Sequence, residues 1–171
     1  ETARTVCKEL HFDTRGKHYF GIGFPNIAGG YEIRNPFFKG CIAPKDISHF
    51  YAEEPKKVCL IFEGFMDFLS FMTLRRKEND GLKRQDYLVL NSVTNIHKAA
   101  KRLSRYDSVQ CFLDNDNAGR NAYLQLSKEL GKSVTDASTL YNGYKDLNEY
   151  LCAEAKHSEK AEVKKAKGIK L

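Results

Sequence analysis

The stretch Phe112-Leu113-Asp114-Asn115-Asp116-Asn117-Ala118-Gly119-Arg120 sets two carboxylates one residue apart at the end of an apolar run, with a glycine three positions after the second. A strand that stops on acids and turns at once into a helix has the layout of an oxygen-donor site at a sheet edge. The pair has a second reading, in which Asp114 and Asp116 cap the helix that begins near Asn117.

Working outward, the apolar and polar residues alternate between strand and helix periods. Val58-Cys59-Leu60-Ile61-Phe62 is a continuous apolar run, the pattern of a strand buried on both faces. Phe65, Phe68, Leu69, Met72 and Arg76 follow at helical spacing. Tyr87 to Leu90 reads as a strand, Ile96, Ala99, Ala100 and Leu103 as one face of a helix, and Val109 to Leu113 as a strand. A helix from Ala118 to Leu130 stops at Gly131, the residue type expected at a C-cap. Ser133 to Ala137 predicts a strand, and Asp146 to about His157 a last helix. This alternation predicts an α/β fold with about four mostly parallel strands and helices on both faces. Before it, His18–Phe24, Tyr31–Asn35 and Phe37–Ile42, separated by Pro25-Asn26 and Gly29-Gly30, read as a small antiparallel meander, to which Asp46–Tyr51 adds a further strand. The expected organisation is a β-rich N-terminal subdomain over 1–57, the α/β domain over 58–157 and a solvated lysine-rich tail over 158–171.

In such a sheet the carboxyl ends of the strands carry the ligand. Glu63 directly follows the first strand, Asp114 and Asp116 close the third, and Asp146 opens the last helix, so all four acids fall on one edge. Clustered carboxylates repel, and a hard divalent cation is the natural reason to keep them together. Two other families that use such acids can be tested by position: the first fails and the second is weakened. An EF-hand loop starting at Asp114 needs an oxygen ligand at its fifth place and Glu at its twelfth, where the chain has Ala118 and Gln125. A haloacid-dehalogenase-type phosphatase wants Thr or Val two residues after the second Asp, again Ala118.

Composition narrows the partners. The 171 residues carry a formal charge of +6 with a pI near 9.0, so a basic exterior surrounds an acidic centre, which points to a polyanionic partner and a divalent metal. From Arg75 to Arg105 nine Lys and Arg face only Glu78, Asp80 and Asp86. No apolar run approaches the about 20 residues that cross a bilayer, and no signal-peptide layout opens the chain, so a cytoplasmic protein with no membrane partner is expected. Cys7, Cys41, Cys59, Cys111 and Cys152 are scattered with no Cys-x-x-Cys pair and read as reduced thiols rather than disulfides or zinc ligands.

Glu63-Gly64-Phe65-Met66-Asp67, paired with Asp114-x-Asp116-x-x-Gly119 one βα unit later, resembles the TOPRIM domain of bacterial-type primases, topoisomerases and certain nucleases. The first motif is especially similar to the primase form. Val89-Leu90-Asn91-Ser92-Val93 resembles the central strand and turn, and Lys145-Asp146-Leu147-Asn148-Glu149 the closing motif, with Asn148 standing where families place Asp. Gly21-Ile22-Gly23-Phe24-Pro25 and Tyr31-Glu32-Ile33-Arg34-Asn35 resemble the small subdomain that precedes TOPRIM in primase cores.

The resemblance implies that Glu63, Asp114 and Asp116 are catalytic and hold Mg²⁺ or Mn²⁺, with Asp67 and Asp146 as secondary metal acids. It implies phosphate or nucleic-acid contacts for Arg34, Lys39, Gly64, Gly119, Arg120 and Lys145. The implied activity is primer synthesis on single-stranded DNA from nucleoside triphosphates, in a bacterial or phage-infected cell, with a replicative helicase as further partner. A TOPRIM nuclease and a non-catalytic DNA-binding TOPRIM module are the alternatives. The opening residues read as a domain entered part-way, as in a partial protein from a phage or mobile element. The zinc module that usually precedes the family's core has no counterpart here, so low activity is expected of this chain alone. Of the many aromatics near the start, Tyr19, Phe20, Phe24, Tyr31, Phe37 and Phe38, any could stack on bases, though core packing is the expectation for most.

Overall fold

The computed structural model describes residues 2–75, 82, 85–131 and 133–168. A short helix, α1 (Thr2–Val6), precedes four strands, β1 (Lys8–Thr14), β2 (Lys17–Pro25), β3 (Tyr31–Arg34) and β4 (Lys39–Ile42), which form an antiparallel sheet in sequence order. β1 went unread in the sequence, although Leu10 and Phe12 alternate with polar residues. Its hairpin turns on Arg15 and Gly16, both with positive φ of 51° and 71°, the geometry that suits the right-handed twist of the strands.

The second sheet holds β5 (Ser48–Phe50), β6 (Val58–Phe62), β7 (Asp86–Val89), β8 (Ser108–Phe112) and β9 (Ser133–Asp136) in the order β5-β7-β6-β8-β9. Helices α2 (Phe65–Leu74), α3 (Ile96–Leu103), α4 (Asn117–Leu130) and α5 (Leu147–Gly168) complete the α/β unit. The expectation of about four mostly parallel strands needs correction: the sheet has five and is mixed. β6, β7, β8 and β9 run parallel, while β5 lies antiparallel on β7, pairing Ser48 with Val89 and Phe50 with Tyr87. Asp46–Tyr51 was expected to extend the small meander. It leaves that sheet instead, because a short strand can join an open edge antiparallel without a crossover helix. Its departure is fastened where the Ser48 hydroxyl donates to the Pro25 carbonyl at 2.7 Å. The helix α5 also runs further than expected, to Gly168 rather than about His157. Arg76 and the last three residues of the lysine-rich tail lie outside the described residues.

Alternation along the central strands sorts the core into two layers. Cys59, Ile61, Leu88, Val109 and Cys111 face α3 and α4, packing on Ala99, Leu103, Ala122 and Leu126. Leu60, Phe62, Tyr87, Val89 and Phe112 face α2 and α5, packing on Phe65, Phe68, Phe71 and Leu147. This second layer is aromatic, with Phe68 set against Phe24, Phe50, Phe62 and Tyr87 at ring separations of 5.3 to 5.8 Å. Phe24 comes from β2 and stacks on Phe65 at 5.1 Å, so one side chain seats the small sheet on the large one. α4 starts and stops where its sequence says: Asp116 accepts from the Ala118 and Gly119 amides, and Gly131 takes the left-handed C-cap at φ 57°.

Phe68→Ala removes the ring common to both sheets and is expected to cost about 3–5 kcal/mol of unfolding free energy. Leu124→Ala, on the exposed face of α4, is expected to stay within about 0.5 kcal/mol. Denaturant titration of the two variants against the parent chain checks both.

Candidate functional site

The parallel register of β6 and β8 sets Phe62 beside Phe112, so the residues that follow leave the sheet at the same edge. Glu63 and Asp114 therefore meet, and the Asp114 amide donates to Glu63 Oε2 at 3.3 Å. A cleft of about 300 Å³ opens over this edge, walled on one side by Glu63, Gly64, Asp67, Asp114, Lys145 and Asp146. The facing wall is the small sheet, with Glu32 and Arg34 on β3, Lys39 on β4 and the following Lys45. A mostly acidic wall thus stands opposite a mostly basic one across one opening.

The acids are held at a cost in charge. Burial first, then the neighbouring Asp114, pushes Glu63 up to about 7. Burial first, then Asp146, does the same to Asp67, also up to about 7, although the Asn148 amide donates to its Oδ1 at 3.2 Å. Asp114 is raised by burial too, opposed by the Lys145 ammonium 3.3 Å from its Oδ2. Glu32 is buried, its Oε1 has no hydrogen-bond partner, and burial raises it against the pull of Lys45 and Lys39. The donors are hard carboxylate oxygens crowded together, with only Asp114 paired to a cation among the described residues, which is the chemistry of a Mg²⁺ or Mn²⁺ site. Their arrangement is only partly formed: among the described residues, no group of three or more His, Cys, Asp or Glu is placed to hold a metal ion.

Three of the expected site residues do not line the cleft. Asp116 spends its Oδ1 on the first turn of α4, the capping role open in the sequence. Arg120 lies along the same turn, donating to the Asn115 carbonyl and to Asn117 Oδ1 at 3.1 and 2.8 Å. Gly119 is buried against the backbone of Asp114, where an added Cβ would sit 2.1 Å from the carbonyl oxygen. Its glycine lets α4 pack on the strand end that carries the acid. Gly64 does line the cleft, as the extended N-cap of α2 with Asp67 in the first turn. Of the basic residues between Arg75 and Arg105, Lys98 pairs with Asp46 at 3.2 Å and Arg105 lies over the Tyr51 ring at 4.8 Å.

The sequence missed Lys45 and Asn115. Asn115, the intervening residue of the Asp-x-Asp pair, donates through Nδ2 to the Tyr141 and Tyr144 carbonyls at 3.3 and 2.9 Å, and its amide donates to the Lys145 carbonyl at 2.7 Å. It ties the loop bearing Lys145 and Asp146 to the strand end bearing Asp114. Nothing local marks those carbonyls as its partners. Asp146 in turn opens α5, accepting from the Glu149 amide at 2.7 Å, while Glu149 accepts from the Lys145 amide at 2.6 Å.

A family model described as Toprim-like matches residues 60–151, more than half of the chain. The chain belongs to the Toprim-like family. A second model, described as Domain of unknown function (DUF8464), matches residues 1–43, which cover the antiparallel sheet. No curated protein matches. Among solved structures, the primase fragment of the bacteriophage T7 primase-helicase protein is similar at 18% identity and a TM-score of 0.63, over 92% of this chain and 66% of that one. This chain thus spans just under two thirds of that fragment. A chain in the structure of bacteriophage T7 lagging-strand DNA polymerase interacting with primase domains of two gp4 subunits, bound to an RNA/DNA hybrid and dTTP, is similar at 16% identity and a TM-score of 0.60, over 92% of this chain and 81% of that one. These likenesses are of fold. The Toprim-like unit therefore shares its fold, at low sequence identity, with these phage primase structures, and Toprim domains generally use divalent metal ions. Among the described residues no helix is long and apolar enough to cross a membrane.

Glu63 and Asp67 keep protons in the native state up to about pH 7 that the unfolded chain releases near its ordinary carboxylate values. Their contribution to stability therefore falls as pH rises through that window. Asp67→Asn, which keeps the shape and removes the charge, is expected to melt higher than the parent at pH 8 by an amount worth about 1–3 kcal/mol, with the advantage shrinking as pH falls below 7 and gone by about pH 4. Thermal melts in chelator across the range test this. Gly119→Ala is expected to cost about 1–3 kcal/mol by overpacking against Asp114, read from the same melts.

Proposed function

We propose that the cleft carries out metal-dependent nucleotidyl transfer, making short RNA primers on single-stranded DNA from nucleoside triphosphates. The observation that carries this reading is the meeting of Glu63 and Asp114 on one sheet edge, opposite Arg34 and Lys39 across a single cleft. Phosphoryl chemistry asks little covalent work of a protein, mainly the placing of phosphates, nucleophile and positive charge. Glu63 and Asp114 would hold a divalent cation, with Asp67 and Asp146 beside them, and a bound cation would supply charge stabilisation at the reacting phosphate. Asp116 would join after releasing one amide of α4 or through its second oxygen. Arg34, Lys39 and Lys45 face that edge from the small sheet and would take the triphosphate or the template backbone. Lys145, which now neutralises Asp114, would turn to phosphate once a dication replaced it. A cytoplasmic setting and a helicase partner belong to the same proposal.

A second reading has its own support. Asp116 is spent as a helix cap, Lys145 occupies Asp114, and among the described residues no group of three or more acids is placed to hold a metal ion. That arrangement would suit a Toprim unit that binds DNA without catalysis.

Incubation with single-stranded template, Mn²⁺ and labelled ribonucleoside triphosphates separates the readings. New short products are expected, and Glu63→Gln and Asp114→Asn are each expected to reduce them about 100-fold or more. Shortening of the template instead would assign hydrolysis. Salt-sensitive binding that needs no metal and survives Asp114→Ala, with no products, would establish the non-catalytic module.

A further inference from the structure

The small sheet is longer than the surface it docks on, and its inner face changes character along its length. Cross-strand pairing places Phe24 and Glu32 at one level of that face, Ile22, Arg34 and Lys39 at the next, and Phe20 and His11 beyond. Exposure follows the same order along β2, with Phe24 at 0%, Ile22 at 42% and Phe20 at 63%. The first level is core, the second is the basic wall of the cleft, and the third overhangs into solvent. The overhang carries rings where a free surface would carry charges: Phe20 lies 6.1 Å from the His11 ring, which stacks on His18 at 5.5 Å.

Phe37 adds a second exposed ring at the tip between β3 and β4. Its neighbour Phe38 is anchored on the outer face against Phe12 and Tyr19. Phe37 itself is 91% exposed, yet its backbone is fixed, because Asn35 Oδ1 accepts from both the Phe37 and Phe38 amides at 2.8 and 2.9 Å. The Asn35 Nδ2 also donates to the Phe20 carbonyl at 3.1 Å, tying the two ring-bearing segments together. Arg34 and Lys39, which pair across the hairpin, flank this tip and line the cleft. Of the six aromatics that the sequence left as candidates, these two stand most open: Phe24 is core, and Tyr19, Tyr31 and Phe38 are half-buried.

We infer that Phe20 and Phe37, with Ile22 between them and the cleft, form a stacking platform for single-stranded nucleic acid leading to the Arg34 and Lys39 wall. Ring faces bind any base, and basic residues beside them bind the backbone, which is the combination that holds single strands without sequence preference. Of the acids at this end of the face, Glu9 stands across from Ile22 and is engaged with His11 at 2.7 Å, and Asp13, beyond Phe20 from the cleft, is engaged with His18 at 3.0 Å. The platform rests on the reading of the cleft as a nucleic-acid site, but its test needs neither metal nor turnover.

The probe is a single-stranded oligodeoxynucleotide carrying 2-aminopurine, titrated with the full chain in chelator at fixed low salt. Binding with quenching of the base is expected. Phe20→Ser and Phe37→Ser are each expected to weaken it about 10-fold and to reduce the quench, with melting temperatures unchanged. Phe20→Tyr and Phe37→Tyr should retain both, which a purely structural loss would not. Unaltered affinity and quench in the double serine variant would overturn the platform, as would absence of strand binding by the parent chain. So would a parent dimer in sedimentation that both serine variants dissociate, since a second copy would then cover the face. Primer synthesis with unaltered strand binding rejects the platform alone; stacking without any transfer activity rejects the catalytic reading alone.

Discussion

The parallel pairing of β6 with β8 is the constraint on which the rest depends. Because the two strands run in the same direction and in register, both end at one edge, and the segments that follow them emerge side by side. Glu63 and Asp114, far apart in sequence, are neighbours for that reason alone. The strands can pair so deep in the molecule because nearly every side chain on them is apolar: Cys59 to Phe62 on β6 and Cys111 to Leu113 at the end of β8 are all buried. The hydrophobic effect that stabilises the sheet is thus also what collects the charges at its end.

That collection works against itself electrostatically. Glu63 and Asp67 are driven upward by burial and by one another's neighbours, and Lys145 is recruited to Asp114. A fold that keeps Glu63, Asp67, Asp114 and Asp146 on one wall of an opening accepts a less stable native state there in exchange for a high local affinity for positive charge. The small sheet completes the balance by presenting Arg34, Lys39 and Lys45 from the opposite side. Its seat on the α/β unit is the aromatic contact of Phe24 with Phe65 and Phe68 of α2 and Phe50 of β5, so the width of the cleft is set by core packing rather than by the charged groups that use it.

Local loops refine what the sheet roughs out. Gly119 allows α4 to close on the Asp114 backbone, and Asn115 fastens the loop that brings Lys145 and Asp146. Asp116 shows the competition between chemistry and architecture in one side chain: the carboxylate that the sequence pattern assigns to metal is the one the helix uses for its cap. A cation would have to outbid two amide hydrogen bonds for it, or share it.

Period and punctuation made most of the large sheet and its helices legible: the unbroken apolar run of β6, the helical spacing of α3, and Gly131 after α4 each carry their structure locally. The acids Glu63, Asp114 and Asp146 were legible for the same reason, since a strand end in a parallel sheet is a ligand edge wherever it occurs. What remained hidden involves partners distant in the chain. β5 reads as part of the meander until the open edge of β7 competes for it. Asn115, Lys45 and the unpartnered Glu32 acquire meaning only when loops from both sheets converge, and Phe20 differs from Phe24 only in how far the supporting surface extends beneath β2. The sequence by itself determined the elements and the edge on which the acids lie, because hydrophobic period and chain direction are local. Which carboxylates face the cleft, which one caps a helix and which rings stay in solvent were decided by tertiary packing, because burial and hydrogen bonding depend on neighbours that no local pattern records.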